Sequence, residues 1–284
     1  MKTGLILEGG AMRGMFTAGV TDVMMENNVE FDGMIGVSAG AAFGCNYKSR
    51  QIGRAIRYNM EYCKDKRYCS FYSLFKTGDI FGADFCYHEL PEKLDIFDTE
   101  AFIKNPMEFY VVCTDVVTGS PVYHKCDRTD FEDLEWMRAS ASMPLVSRIV
   151  EVGGYKLLDG GISDSVPLRY FESIGYDKNV VVLTQPKEYI KKKNKMMPFL
   201  RVALRKYPLM LKALENRHNM YNETIKYICE KEQKGDILVI RPDSVLPVGR
   251  IEHNPENLRQ TYDLGRKTAQ KSMHRIKEFL NMNN

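Results

Sequence analysis

Between Thr3 and Ala42 the chain switches hydrophobic period twice, and this switch restricts the fold more than any other feature. Thr3 to Leu7 is a short apolar run. A glycine-rich stretch, Glu8 to Met12, separates it from Met15, Phe16, Val20, Val23 and Met24, which recur at roughly helical spacing up to an expected end near Asn27-Asn28. Phe31 to Val37 is apolar again, so strand, helix and strand occupy about the length that a βαβ crossover requires. Strands joined in this way lie parallel and finish at the same edge of their sheet, where ligands of α/β proteins bind.

The rest of the chain continues the alternation. Phe109 to Val117 reads as a strand closed by a Thr118-Gly119 turn, and Thr129-x-x-Glu132 has the form of a capping box opening a helix. Gly153-Gly154 between Ile149–Val152 and Tyr155–Leu158 is a hairpin signal. Asn179 to Leu183 and Asp236 to Ile240 read as further strands. Asn254-Pro255 supplies a cap and first-turn proline for a terminal helix over 255–281. No repeat is visible, and no linker sets apart the basic, helical stretch 187–234, so one α/β domain over 1–284 is expected.

Composition excludes several classes. With 44% hydrophobic and 27% charged residues the chain can bury a sizeable core, and a formal charge of +3 is too small to point to nucleic acid. The start, Met1 to Glu8, lacks the apolar stretch of a signal peptide, and no uncharged apolar run approaches the ~20 residues that span a bilayer. A cytoplasmic protein, with at most peripheral membrane contact, is the expectation. Seven scattered cysteines without a C-x-x-C pair suit reduced thiols. Neither Cys86 with His88 nor His124 with Cys126 has a matching partner pair, so no metal is expected.

Three motifs carry chemistry. Gly36-Val37-Ser38-Ala39-Gly40 fits G-x-S-x-G, in which flanking glycines let the chain turn sharply from strand to helix and present a strained, exposed serine. Glu8-Gly9-Gly10-Ala11-Met12-Arg13-Gly14 follows the first strand. It departs from a dinucleotide fingerprint in two ways: Ala11 takes the middle glycine position, which makes close approach to a pyrophosphate less favourable, and the second strand ends in a nucleophile elbow where a ribose-binding acid would stand. Its backbone N–H groups and Ser38 face one crevice, where they can receive an oxyanion. Leu157-Leu158-Asp159-Gly160-Gly161 places an acid at the end of the hairpin, with two glycines that permit an unusual backbone path.

A serine nucleophile needs a base. None of the five histidines, His88, His124, His218, His253 and His274, lies in a glycine-flanked context, and His253 is the best placed, since Ser38, Asp159, His253 is the chain order of an α/β-hydrolase triad. In that fold, however, several strands precede the serine, and here one does.

In this order, E-G-G-A-M-R-G, G-V-S-A-G and D-G-G resemble the patatin-like phospholipases, and bacterial members in particular. Ala139-Ser140-Ala141-Ser142-Met143-Pro144 and Asp164 to Pro167 also look like family blocks. The resemblance implies a three-layer α/β/α fold with a central, mainly parallel sheet, and a serine–aspartate dyad needing no metal or cofactor. It makes Ser38 the nucleophile and Asp159 the base. Gly9, Gly10 and Ala11, continued by Arg13 and Gly14, become the oxyanion loop, with Arg13 steadying it; Gly36 and Gly40 form the elbow. Ala11 stands where the family usually has glycine, and an alanine serves there if its dihedrals need not be glycine-like.

The implied activity is cleavage of carboxylic esters of lipids, of phospholipase A or lysophospholipase type. A short-chain esterase or thioesterase, and a non-catalytic nucleotide-binding or regulatory protein, are the alternatives; oligomeric state is left open. In 187–217, Lys191-Lys192-Lys193 and the cations that follow accompany Met196, Phe199, Leu200 and Leu204, with helix starts expected at Pro198 and Pro208. Such a segment either covers a core with a solvated face or lies on an anionic membrane.

Overall fold

The computed structural model describes residues 1–282. Eight strands form one sheet: β1 (Lys2–Leu7), β2 (Gly33–Val37), β3 (Glu108–Asp115), β4 (Pro121–Lys125), β5 (Val150–Val152), β6 (Tyr155–Asp159), β7 (Tyr176–Val182) and β8 (Ile237–Ile240). β8, β7, β1, β2 and β3 lie side by side and parallel. β4, β5 and β6 add antiparallel pairs beyond β3. The helices are α1 (Gly14–Glu26), α2 (Ala39–Lys48), α3 (Arg54–Tyr62), α4 (Phe71–Thr77), α5 (Thr99–Lys104), α6 (Phe131–Ser140), α7 (Leu168–Ser173), α8 (Met197–Ala203), α9 (Pro208–Lys234) and α10 (Pro255–Phe279), with a π-helical segment at Phe85–Leu94.

The period of two in the strands sorts the core into layers. Leu5, Leu7, Met34, Phe109, Val111, Val180 and Val182 pack with α1, α2, α6 and α10. The alternate positions Ile6, Ile35, Val37, Val112, Val181 and Val239 face Leu168 and Phe171 of α7 and Ile228 of α9. The result is the expected three-layer arrangement. α1 is buried from Gly14 to Met25, which follows from its place between the sheet and α10. Asp22 on it accepts the Tyr262 hydroxyl at 2.6 Å and the Gly53 N–H at 3.0 Å.

β4 is not among the seven strands read from the sequence; those seven and the hairpin stand where it puts them, within a residue or three at their ends. The capping box does not. Asp130 caps α6 by accepting the Asp133 N–H at 3.1 Å, while Thr129 takes a left-handed φ of 54° and donates its own N–H to Asp133. Asn254 caps α10 through the Glu256 N–H. Pro198 and Pro208 both sit in first turns, of α8 and α9, but Lys191, Lys192 and Lys193 precede these helices and belong to neither. Leu200, Leu204, Met210 and Leu214 close a third apolar cluster over Leu158 and Ile162 at the end of β6.

Candidate active site

The register of β3 brings two distant residues together. Val37, the last residue of β2, pairs with Val112, and Asp159, the last of β6, pairs with Cys113. β4 occupies one edge of β3 from Tyr110 to Thr114, so β2 and β6 share the other edge, end to end. Ser38 therefore leaves β2 beside the point where β6 stops.

Ser38 has φ 54° and ψ −121°, the strained geometry of an elbow, and its carbonyl accepts the Ala41 and Ala42 N–H groups of α2. The flanking glycines act through proximity: a Cβ on Gly36 would lie 2.5 Å from the Gly40 oxygen, and one on Gly40 would lie 2.4 Å from the Leu7 oxygen. The serine is only 7% exposed, a correction to the exposed elbow read from the motif; α2 and the glycine loop cover it. Its N–H donates to Ser140 Oγ at 2.9 Å, and that hydroxyl donates to the Val112 carbonyl at 2.6 Å, which gives the 139–144 block a role.

Asp159 is buried at the start of a tight turn, Gly160–Ile162. Its carboxylate accepts the Gly161 N–H at 2.7 Å. Burial raises its proton affinity above the ordinary aspartate value; Arg217, the neighbouring Ser38 side chain, the Gly161 N–H and Arg250 oppose the rise. Neither glycine of the turn has positive φ. Gly160 is required because a Cβ would stand 2.1 Å from the Val112 oxygen, so close approach explains the pair better than an unusual backbone path.

The glycine loop closes over Ser38. A Cβ on Gly9 would lie 3.0 Å from Ser38 Cβ. The N–H groups of Gly9, Gly10 and Ala11 donate to no acceptor among the described residues, whereas the Arg13 N–H bonds the Gly10 carbonyl at 3.2 Å. Ala11 has φ 50°, so its dihedrals are in the region that favours glycine and the alanine is held there under strain. Gly14 lets the loop pack on Phe43, 2.7 Å from where its Cβ would stand. Buried Glu8 anchors the loop by accepting the Thr184 N–H at 2.6 Å and the Tyr221 hydroxyl at 2.8 Å.

Two cavities meet at Ser38. One, of about 130 Å³, is mainly apolar and runs past Ala42, Phe43, Tyr58, Tyr87, Leu90 and Met137. The other, of about 280 Å³, runs past Asp159 and carries the side chains of Arg13, Lys191, Arg217 and Arg250.

Residues 5–172, more than half of the chain, match the profile of patatin-like phospholipases. The chain belongs to the patatin-like phospholipase family. Residues 207–281 match a domain of unknown function, DUF6363. The uncharacterized protein YjjU of Escherichia coli is 28% identical over 275 residues, covering 93% of this chain and 75% of that protein. The lysophospholipase nte1 of Aspergillus oryzae is 26% identical over 186 residues, which span 62% of this chain but only 11% of the fungal protein. VipD of Legionella pneumophila shares 14% identity with a TM-score of 0.47, over 96% of this chain and 67% of that one.

Within this patatin-like fold, the structure brings together Ser38, Asp159 and the Gly9–Gly14 loop, and leaves His253 elsewhere. The His253 ring bonds the Cys63 carbonyl at 2.6 Å and lines neither cavity. His124 and Cys126, without a partner pair in sequence, gain Asp133: the three side chains offer ligand atoms within 4.8 Å of one another. Both Asp133 oxygens already accept hydrogen bonds, from His124 and from the Arg128 and Thr129 N–H groups. Sequence reading missed Glu8, Thr184 and Tyr221 as loop anchors. It also missed Lys191, Arg217 and Arg250 as cavity residues, because a charge run does not reveal which of its members turns inward.

Proposed function

We propose that the protein is a serine acyl hydrolase that cleaves carboxylic ester bonds of lipids, of phospholipase A or lysophospholipase type, through Ser38 and Asp159. The observation that carries this reading is the placement of Ser38 beside a buried carboxylate that its side chain helps to keep ionised, at the meeting point of two cavities and under unpaired backbone N–H groups. Asp159 takes the Ser38 proton as the oxygen attacks the ester carbonyl. Its buried position makes it a stronger base than aspartate in water. The N–H groups of Gly9, Gly10 and Ala11 receive the oxyanion, and Arg13 steadies the loop. Asp159 then returns the proton to the leaving alcohol, and water, activated by the same carboxylate, releases the acid. No residue of this scheme calls for a metal or cofactor.

Labelling by a fluorophosphonate probe tests the activated serine without choosing a substrate. Labelling of the native protein but not of Ser38→Ala is expected; absence of labelling in the native protein would favour a binding or regulatory role.

The apolar cavity also favours a narrower form of this reading. Its 130 Å³ is close to the ~150 Å³ apolar void that accepts benzene, so acyl groups of about six carbons fit without rearrangement. A short-chain esterase would show no jump in rate above the micelle-forming concentration of its substrate, and a lipase acting at interfaces would. Among the described residues no helix is long and apolar enough to cross a membrane, so contact with lipid through the 187–217 segment would be peripheral.

A further inference from the structure

Every residue that the proposed reaction uses lies between Gly9 and Asp159, yet the two parts that must cooperate leave the sheet from different strands. The oxyanion loop follows β1 and the base ends β6, and β2 and β3 stand between those strands. No strand pairing joins the loop to the base directly. α9 touches both, and it belongs to the region 207–281, outside the part of the chain that the catalytic family profile matches.

Met210, Leu214, Arg217 and Tyr221 recur along α9 at the spacing of a single helical face. Met210 and Leu214 seat the helix on Leu158 and Ile162, which flank Asp159 and its turn. The next two positions of the same face are polar. Arg217 donates its Nε–H to the Gly161 carbonyl at 2.5 Å, and the N–H of that same glycine is the one that Asp159 accepts at 2.7 Å. Tyr221, 1% exposed, donates its hydroxyl to Glu8 Oε1 at 2.8 Å. The other Glu8 oxygen takes the Thr184 N–H and hydroxyl, so among the described residues Tyr221 is the donor that satisfies Oε1. A buried carboxylate oxygen left without a donor costs more than the bond itself contributes, and Gly9, the first residue of the oxyanion loop, follows Glu8 directly. Burial and the Glu8 carboxylate raise the Tyr221 phenol above its ordinary value, so it stays a donor. Docking a helix over β6 calls for apolar side chains. It does not call for two polar ones that end on the residues adjoining the catalytic groups.

We propose that α9 is a positioning element of the active site: Tyr221 and Arg217, one helical turn apart, hold the oxyanion loop and the base turn in a fixed relation across Ser38, and the region 207–281 thereby completes a site whose reacting groups all lie outside it. This inference rests on the hydrolase reading for what the two loops do. Misplacing a catalytic group by about 1 Å costs on the order of 100-fold in rate, so the loss belongs in kcat more than in KM.

Tyr221→Phe removes one hydroxyl and keeps the ring. Tyr227→Phe is its control, because Tyr227 of the same helix donates to Glu172 of α7 at 2.5 Å and lines neither cavity, so it loses the same kind of bond away from the site. At a temperature where circular dichroism shows both variants folded, Tyr221→Phe is expected to lower kcat on a short-chain ester at least ~10-fold while changing KM less than ~3-fold. Tyr227→Phe should leave both near their native values. Amide hydrogen exchange over 8–14 and 159–163 gives a second measure that needs no turnover. Tyr221→Phe should speed exchange in the first segment, Arg217→Met in the second, and Tyr227→Phe in neither. Equal kcat losses in the two tyrosine variants, a loss confined to KM, or unchanged exchange in either segment would overturn the positioning role and leave α9 a packing helix. Failure of the native protein to hydrolyse any ester would count against the hydrolase reading, and the exchange measurements would then decide by themselves whether α9 holds the two loops.

Discussion

Gly19 of α1 and Gly265 of α10 face each other so closely that neither has room for a side chain: a Cβ on Gly19 would stand 2.1 Å from the Tyr262 oxygen, and one on Gly265 would stand 2.0 Å from the Phe16 oxygen. The helices cross backbone to backbone at this point. In an unpacked helix, glycine to alanine stabilises by about 0.5–1 kcal/mol, so the sign of the change reports the contact. Gly19→Ala and Gly265→Ala are each expected to lower stability by about 1–3 kcal/mol, the usual cost of overpacking, measured by urea denaturation. A neutral or stabilising effect of both would mean that the helices stand farther apart.

Ser38 and Asp159 are expected to behave as one unit. Ser38→Ala, Asp159→Asn and the double variant should each lower turnover by about 10³-fold or more, and the double should lose no more than the worse single variant. His253→Ala, with its ring on the Cys63 carbonyl, should keep most activity. Near-normal turnover in Asp159→Asn would remove the dyad, and a His253→Ala loss on the scale of Ser38→Ala would restore a triad.

Much of this geometry was legible because it rests on local chemistry. The Thr3 to Val37 crossover and the Gly153-Gly154 hairpin carry their own signals, and they alone place Ser38 and Asp159 at strand ends. What joins those ends is the register on β3, a non-local pairing that no motif announces. The apolar cavity was illegible for a different reason. Its wall between Arg54 and Phe97 is built from short helices and a π-helical segment containing Pro91, which leave no sustained period. At Thr129 the sequence offered two adjacent capping side chains, and Asp130 took the role. Lys191 and Lys192 are chemically alike in the sequence; only tertiary packing turns the first onto Tyr221 and leaves the second exposed.

The raised proton affinity of Asp159 sets a direction for pH dependence. The carboxylate must be ionised to accept the Ser38 proton, so kcat/KM should fall on the acid side through a value above the 3.8 of ordinary aspartate. Arg217 is the strongest group holding that value down, so Arg217→Gln should move the acid limb to higher pH. The stability sign follows. An acid whose folded proton affinity is raised destabilises the fold once ionised, so its cost is absent below 3.8 and complete above the folded value. An acid limb at the ordinary aspartate position, unmoved in Arg217→Gln, would contradict this account of the base.

Ala11 offers a test of the oxyanion loop that leaves its donors in place. At φ 50° an L side chain costs roughly 1–2 kcal/mol, partly offset by the flexibility that glycine adds to the unfolded chain. Ala11→Gly is therefore expected to stabilise the protein by about 0.5–1 kcal/mol, seen as a rise in Tm of a few degrees. Ala11→Val should destabilise it, since a β-branched residue tolerates this region less well. A drop in Tm for the glycine variant would show that the loop takes another conformation.

The 187–217 segment carries the last expectation, altered by where its lysines lie. Lys191 belongs to the cavity, so electrostatic attraction to a membrane falls to Lys192, Lys193 and Lys195, which are exposed. Beside them Phe199 and Val202 of α8 are 63% and 74% exposed, while Leu200 of the same helix is buried in the cluster over β6. α8 thus presents apolar side chains outward as well as inward, which a helix that only covers a core does not need. At about 1 kcal/mol per lysine near an anionic surface, replacing all three by glutamine should weaken binding to phosphatidylserine-containing vesicles by up to about 100-fold. Raising salt should weaken the native protein in the same way and leave the substituted one little changed. Phe199→Ser with Val202→Ser should lower binding at every salt concentration, because burying apolar surface is not screened. Vesicle binding indifferent to salt and to all five substitutions would assign the segment to the core alone.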